Sequence, residues 1–157
     1  LPNVSLICNA NQSFDELREK IPQIAGGYQA AFLLETLEHV GERGRLYPSK
    51  MEFLRELFSL LNDTGAIIIS VPKMVGIGFL AKHTLQTALR IPTEKISFRD
   101  FCSASFLKNT DAMEKNWDGK HLGFNHLKLT DALEKNFEVR KQLGTLSSIF
   151  YVVSRKK

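Results

Sequence analysis

Ala30-Ala31-Phe32-Leu33-Leu34-Glu35-Thr36-Leu37-Glu38-His39-Val40 is the stretch on which the fold turns. Its first five residues form an apolar run too short for a helix and unbroken enough for a strand buried on both faces. The run ends in two carboxylates and an imidazole, Glu35, Glu38 and His39. Downstream, Ser49 and Glu52 have capping-box spacing, and Met51, Leu54, Leu57, Phe58 and Leu61 share one face, which predicts a helix over 49–61. Asn62-Asp63-Thr64-Gly65 then turns the chain into a second apolar strand, Ala66-Ile67-Ile68-Ile69-Ser70-Val71. Strand, helix and parallel strand make the right-handed crossover from which open α/β sheets are built. Ligands of such sheets gather beyond the carboxyl ends of the strands, where Glu35 to His39 and Pro72-Lys73 both fall.

Working outward, Val4-Ser5-Leu6-Ile7-Cys8 reads as a short strand, Asn9-Ala10-Asn11 as a loop, and Ser13 with Glu16 as a capping box opening a helix over 14–21. On the other side, residues 74–90 are rich in helix formers, with an apolar stripe of Ile77, Leu80, Ala81, Leu85, Ala88 and Leu89 and with Lys82, His83 and Gln86 toward another face. Residues 96–117 are aromatic-rich, with Phe98, Phe101, Phe106 and Trp117. Leu127, Leu129, Leu133 and Phe137 mark a last helix, His126 a surface position on its first turn. Residues 137–143 and 148–154 supply two further strands around a turn at Gly144.

The chain of 157 residues, 43% apolar and 24% charged, is sized and composed as one globular domain. No apolar run approaches the roughly 18 residues of a membrane span. Cys8 and Cys102 are isolated and expected to be buried and reduced, which places the protein in a cytoplasm. The net charge of +4 owes much to Arg155-Lys156-Lys157 and reads as a solvated terminus rather than a nucleic-acid footprint.

Glu-Thr-Leu-Glu-His-Val after a buried strand, an amphipathic helix, Leu60-Leu61-Asn62-Asp63-Thr64-Gly65 and Ile-Ile-Ile-Ser-Val-Pro resemble the second half of a class I S-adenosylmethionine-dependent methyltransferase, and the likeness runs on through His121-Leu-Gly-Phe124 to the last strand. The resemblance implies a single methyltransferase-like domain over 1–157: an α/β, Rossmann-like, mostly parallel sheet with helices on both faces and a C-terminal strand inserted antiparallel between its two predecessors. It implies a lid insertion over 74–120 above the substrate pocket; ordinary packing of that segment is the competing expectation. The family's glycine-rich cofactor loop has no counterpart here, so the domain is expected to be incomplete at its N-terminus, with an open sheet edge at 28–34 that a second copy, a rearranged first strand or the rest of a longer polypeptide would cover.

For the site, the resemblance implies S-adenosylmethionine as cofactor. Asn9 or Asn11 would approach the adenine ring, unless these asparagines only turn the chain, and Leu34 and Glu35 would line the cofactor site. Glu35, Glu38, His39 and His121 have two readings. In one, the loop closes over the cofactor and His39 and His121 serve the chemistry, His121 as the proton acceptor. In the other, the four hold a divalent cation that lowers the pKa of a substrate hydroxyl. The implied activity is methyl transfer to an oxygen, nitrogen or carbon of a small molecule. The alternatives are a non-enzymatic interaction module and metal-assisted methylation of RNA ribose.

Overall fold

The computed structural model describes residues 27–92, 94–145 and 147–156. The expected strand at Val4, the helix over 14–21, Cys8, Asn9 and Asn11 lie outside these residues. Strand β1 is Tyr28–Leu34, followed by a single 3₁₀ turn, Leu37–His39. Helix α1 is Leu46–Ser59 and leads into strand β2, Leu61–Pro72. Helices α2 (Ile77–Ala88), α3 (Phe98–Cys102, continued by a π turn to Leu107), α4 (Asp111–Glu114) and α5 (His126–Asn136) follow, then strands β3 (Glu138–Gly144) and β4 (Ser148–Ser154).

The expected crossover is present: β1 and β2 are parallel, with Ala31 beside Ile67 and Leu33 beside Ile69. The strand order is β1-β2-β4-β3, and β4 runs antiparallel to both neighbours, in the place expected for it. Three of the four described strands therefore point one way and the sheet is mixed. β2 is longer than expected because it already pairs at Leu61, opposite Tyr28; the ladder then skips to Ala66 opposite Ala30. The excursion is an Asx turn in which Thr64 N donates to Asn62 Oδ1 at 3.1 Å. Gly65 is required there, since a Cβ would lie 2.8 Å from Cβ of Leu61.

One core holds the molecule together. Ile67, Ile69 and Val71 of β2 face the same way as Val153, Tyr151 and Ile149 of β4, and all six are buried. Leu54 and Phe58 of α1 and Leu129 and Leu133 of α5 close over them. Each buried leucine of this kind contributes enough that truncation to alanine costs about 2–5 kcal/mol.

The expected helices on both faces are not found: among the described residues α1 and α5 cover one face. On the opposite face Phe32 is 67% exposed and Leu34 57%, with Phe150 and Leu143 exposed beside them. β1 is accordingly half-buried on one face, through Tyr28, Ala31 and Leu33, and exposed on the other, contrary to the reading of its run as doubly buried. An unbroken apolar run carries no alternation to show which face lies open.

Helix boundaries also differ. α1 starts at Leu46, three residues before the expected cap. Ser49 is inside it, and Glu52 pairs with Arg45 at 2.9 Å instead of capping. α2 is turned the other way from its stripe: Ile77, Leu85 and Leu89 are exposed, while Phe79 is buried and His83 and Gln86 are half-buried. The anchor is Phe79, whose ring meets Phe101 at 5.8 Å and His83 at 5.7 Å, and this aromatic contact sets the rotation of the helix. His126 is buried rather than at the surface, Leu127 is exposed, and Cys102 is a half-buried free thiol. No helix among the described residues is long and apolar enough to cross a membrane.

Candidate functional site

Just beyond the carboxyl end of β1 the backbone turns sharply. Glu35 adopts a left-handed conformation, φ +48°, that non-glycine residues enter only when surrounding contacts hold them there. Ser70 of β2 supplies that hold. Glu35 N donates to Ser70 O at 3.0 Å, and Ser70 Oγ donates to the Glu35 carboxylate at 3.1 Å. The turn releases the chain into the 3₁₀ turn, closed by His39 N donating to Thr36 O, and this brings Leu37 and Glu38 inward and leaves His39 near the surface.

Glu38 is completely buried, and neither of its carboxylate oxygens has a hydrogen-bond partner. Two imidazoles lie close to it: His39 Nε2 is 3.7 Å and His121 Nδ1 3.8 Å from Glu38 Oε1. The two rings are 4.5 Å apart. His39 Nδ1 is 2.6 Å from Gly119 O, and since a carbonyl only accepts, this nitrogen carries a proton, which leaves Nε2 as the ring atom toward Glu38. His121 Nδ1 is buried without a partner.

His121 arrives from far along the chain, on the loop between α4 and α5. That loop is shaped by Trp117 Nε1 donating to Lys120 O at 2.8 Å and Leu122 N donating to Glu94 at 3.3 Å. Gly123 closes it at φ +94°, where a Cβ would meet the Met113 backbone at 3.2 Å.

The electrostatics follow from this burial. Desolvation raises the Glu38 pKa above the ordinary carboxylate value; the dipole of its own backbone N–H opposes the rise, Glu35 adds to it, and His39 and Lys50 oppose it. Desolvation lowers the His121 pKa, with His39 and Lys82 acting in the same direction, so its imidazole is neutral near pH 7. A buried carboxyl group and two imidazoles, one of them anchored on a backbone carbonyl, are donor types that could hold a divalent transition-metal ion.

Glu38, His39 and His121 each offer one donor atom, all within 4.8 Å of one another. Metal bonds of about 2.0–2.2 Å put tetrahedral ligands roughly 3.3–3.6 Å apart, so only a small inward movement separates these atoms from coordination. Three of the four expected ligands thus converge; Glu35 is left aside on Ser70. Leu34 ends β1 with its side chain exposed, and its carbonyl accepts from Thr36 Oγ1 at 2.9 Å.

Two residues escaped the reading of the sequence. Ser70 interrupts the apolar run from Ala66 to Val71, directly opposite Leu34. Lys50 lies four residues after Leu46 and four before Leu54, on the buried stripe of α1, which marks it as the one charged residue there. Burial pushes its ammonium down to about 7 and Glu38 pulls it up. Its three carbonyl partners, Leu37, Glu38 and Val40, match the three N–H groups that only the charged form has.

No family model, no curated protein and no solved structure matches the chain.

Proposed function

We propose that this chain carries the acceptor side of a Rossmann-like, S-adenosylmethionine-dependent methyltransferase acting on a small molecule. The observation that supports this reading is the parallel crossover of β1 and β2, which sets a polar cluster beyond the carboxyl end of β1, where α/β sheets bind ligands. Toward a sulfonium cofactor the described residues offer the exposed side chain of Leu34 and the carboxylate of Glu35, whose charge suits a cation. When bound, that cofactor supplies an electrophilic methyl group.

The residues of this chain have the remaining tasks. A cavity of about 200 Å³, lined by Met74, Phe79, His83, Gln86, Leu122 and His121, adjoins the cluster. It holds on the order of seven water volumes, the size of a single-ring acceptor. Phe79, His83 and Gln86 of α2 line one side of it, which supports a covering role for this helix. His121 borders both the cavity and Glu38, so its neutral imidazole takes the acceptor's proton while the cavity holds the nucleophile in line and excludes water. Among the described residues β1 ends the sheet, and its edge and exposed face would pair with a second copy.

Titration of the ¹⁵N-labelled chain with S-adenosylmethionine to millimolar concentration tests the reading. Shifts centred on Leu34, Glu35 and Ser70, removed by Glu35→Lys, are expected; an unmoved spectrum overturns it.

A second reading is favoured by the partnerless oxygens of Glu38 and Nδ1 of His121: the cluster holds a divalent cation that binds and acidifies an acceptor hydroxyl. Calorimetry with Zn²⁺ or Mn²⁺ tests it, one ion per chain being expected and none in the Glu38→Gln variant. Absence of binding by the unaltered chain rejects the cation and leaves the proton-acceptor reading standing.

A further inference from the structure

We propose that Lys50 is a positioning residue that holds Glu38 and His39 in register with His121. Nζ donates to Leu37 O at 2.8 Å, to Glu38 O at 3.1 Å and to Val40 O, consuming all three ammonium protons on the turn that carries the cluster's carboxylate and first imidazole. Its flanks are closed by Trp117 and Phe124, whose ring centroids lie 5.3 and 5.5 Å from Nζ. Those two aromatics bracket the loop that brings Gly119 and His121. One atom on α1 therefore touches both the 3₁₀ turn and the 117–124 loop, the two segments whose side chains and backbone make the cluster.

Two observations separate this from ordinary packing. The Glu38 carboxylate has no hydrogen bond of its own, so its place is set by the backbone that Lys50 grips. And an ammonium is an expensive choice for a stripe otherwise made of Leu46, Met51, Leu54 and Phe58, where a methionine of similar volume would pack without desolvation. What methionine lacks is the ability to cap three carbonyls from one point. The proposal rests on the cluster being the working site.

NMR of the ¹⁵N-labelled chain tests it without assuming a metal or a cofactor. In the unaltered chain the Lys50 ammonium protons should exchange slowly and show NOEs to the Trp117 and Phe124 rings, and His39 should show the Nδ1-protonated tautomer with an NOE to the His121 ring. In Lys50→Met the His39–His121 NOE and the fixed tautomer should vanish while the β2 and β4 core resonances stay in place. Leu54→Ala, on the same helix but off the turn, should keep both. Where the unaltered chain binds Co²⁺, Lys50→Met should weaken that binding 10- to 100-fold, as outer-shell losses do; where it binds none, the cation reading fails and the NMR result still decides. Retention of the NOE and tautomer in Lys50→Met, or their equal loss in Leu54→Ala, overturns the proposal. If Lys50→Met does not fold, the ammonium of the unaltered chain decides: fast exchange without ring NOEs overturns it, and slow exchange with them supports it.

Discussion

Glu38 is a residue for which function and stability pull apart. A carboxylate that is fully buried and without a side-chain hydrogen-bond partner forfeits its hydration and recovers only part of it from His39, Lys50 and its own backbone N–H, so a neutral isostere should be tolerated well. We expect Glu38→Gln to leave the melting temperature equal or higher while abolishing divalent-ion binding by calorimetry; a lower melting temperature with ion binding intact would contradict the account. His126 provides a cleaner pH signal. Burial, with Lys73 and Lys108 nearby, lowers its pKa to about 4, against about 6.5 in an unfolded chain. Between those values the unfolded state holds the extra proton, so stability is full above pH 6.5 and is lost as pH falls through 4. The loss is on the order of 3 kcal/mol, and urea titrations of His126→Gln between pH 4 and 7 should show a flatter profile than the unaltered chain.

At the scale of elements, α2 tests how a helix chooses its buried side. Leu85 and Leu89 are 60% and 62% exposed, Phe79 3%. Leu85→Glu with Leu89→Lys should change unfolding free energy by no more than about 0.5 kcal/mol, whereas Phe79→Ala should cost about 3–5 kcal/mol. The reverse ranking by denaturant melts would restore the stripe as the buried face. Ser49→Ala should likewise be nearly silent, because Ser49 sits inside α1 and caps nothing.

The strands were legible because Ala30 to Leu34 and Ala66 to Val71 are apolar runs too short for a helix, and the parallel pairing followed from the helix between them. The face of α2 was not legible, since periodicity weighs side chains by hydrophobicity while the structure weighs one phenylalanine by its aromatic partners. Within the site, Glu38, His39 and His121 were readable as chemistry. The exclusion of Glu35 was not, because a single left-handed residue swings its side chain to Ser70, and neither was Lys50, a charge disguised inside an apolar stripe.

The whole molecule is closed by its far end. Arg155 donates to Phe58 O and to Leu61 O at 3.1 Å, where α1 hands over to β2, and pairs with Asp63 at 3.0 Å. Arg155→Met leaves two carbonyls without their charged donor and should lower stability by about 1–3 kcal/mol in urea titration, with salt recovering none of the loss. The open face around Phe32 and Leu34 should appear in the hydrodynamics: Phe32→Lys with Leu34→Lys is expected to shift sedimentation toward monomer, and an unchanged profile would rule out pairing through that face.

The placement of β4 also sets a clock. Residues 149–153, which fill the slot between β2 and β3, are translated roughly eighty residues after the β2 positions they pair with. At the ~5–20 residues per second of protein synthesis, one flank of β2 waits on the order of 4–16 s for its neighbour. Throughout that interval a nascent chain shows Ile67, Ile69 and Val71 beside an unfilled ladder, a substrate for chaperones and for sibling chains on the same message. A slow codon stretch placed between α5 and β4 would lengthen the wait and lower the soluble yield, with no change in the finished molecule.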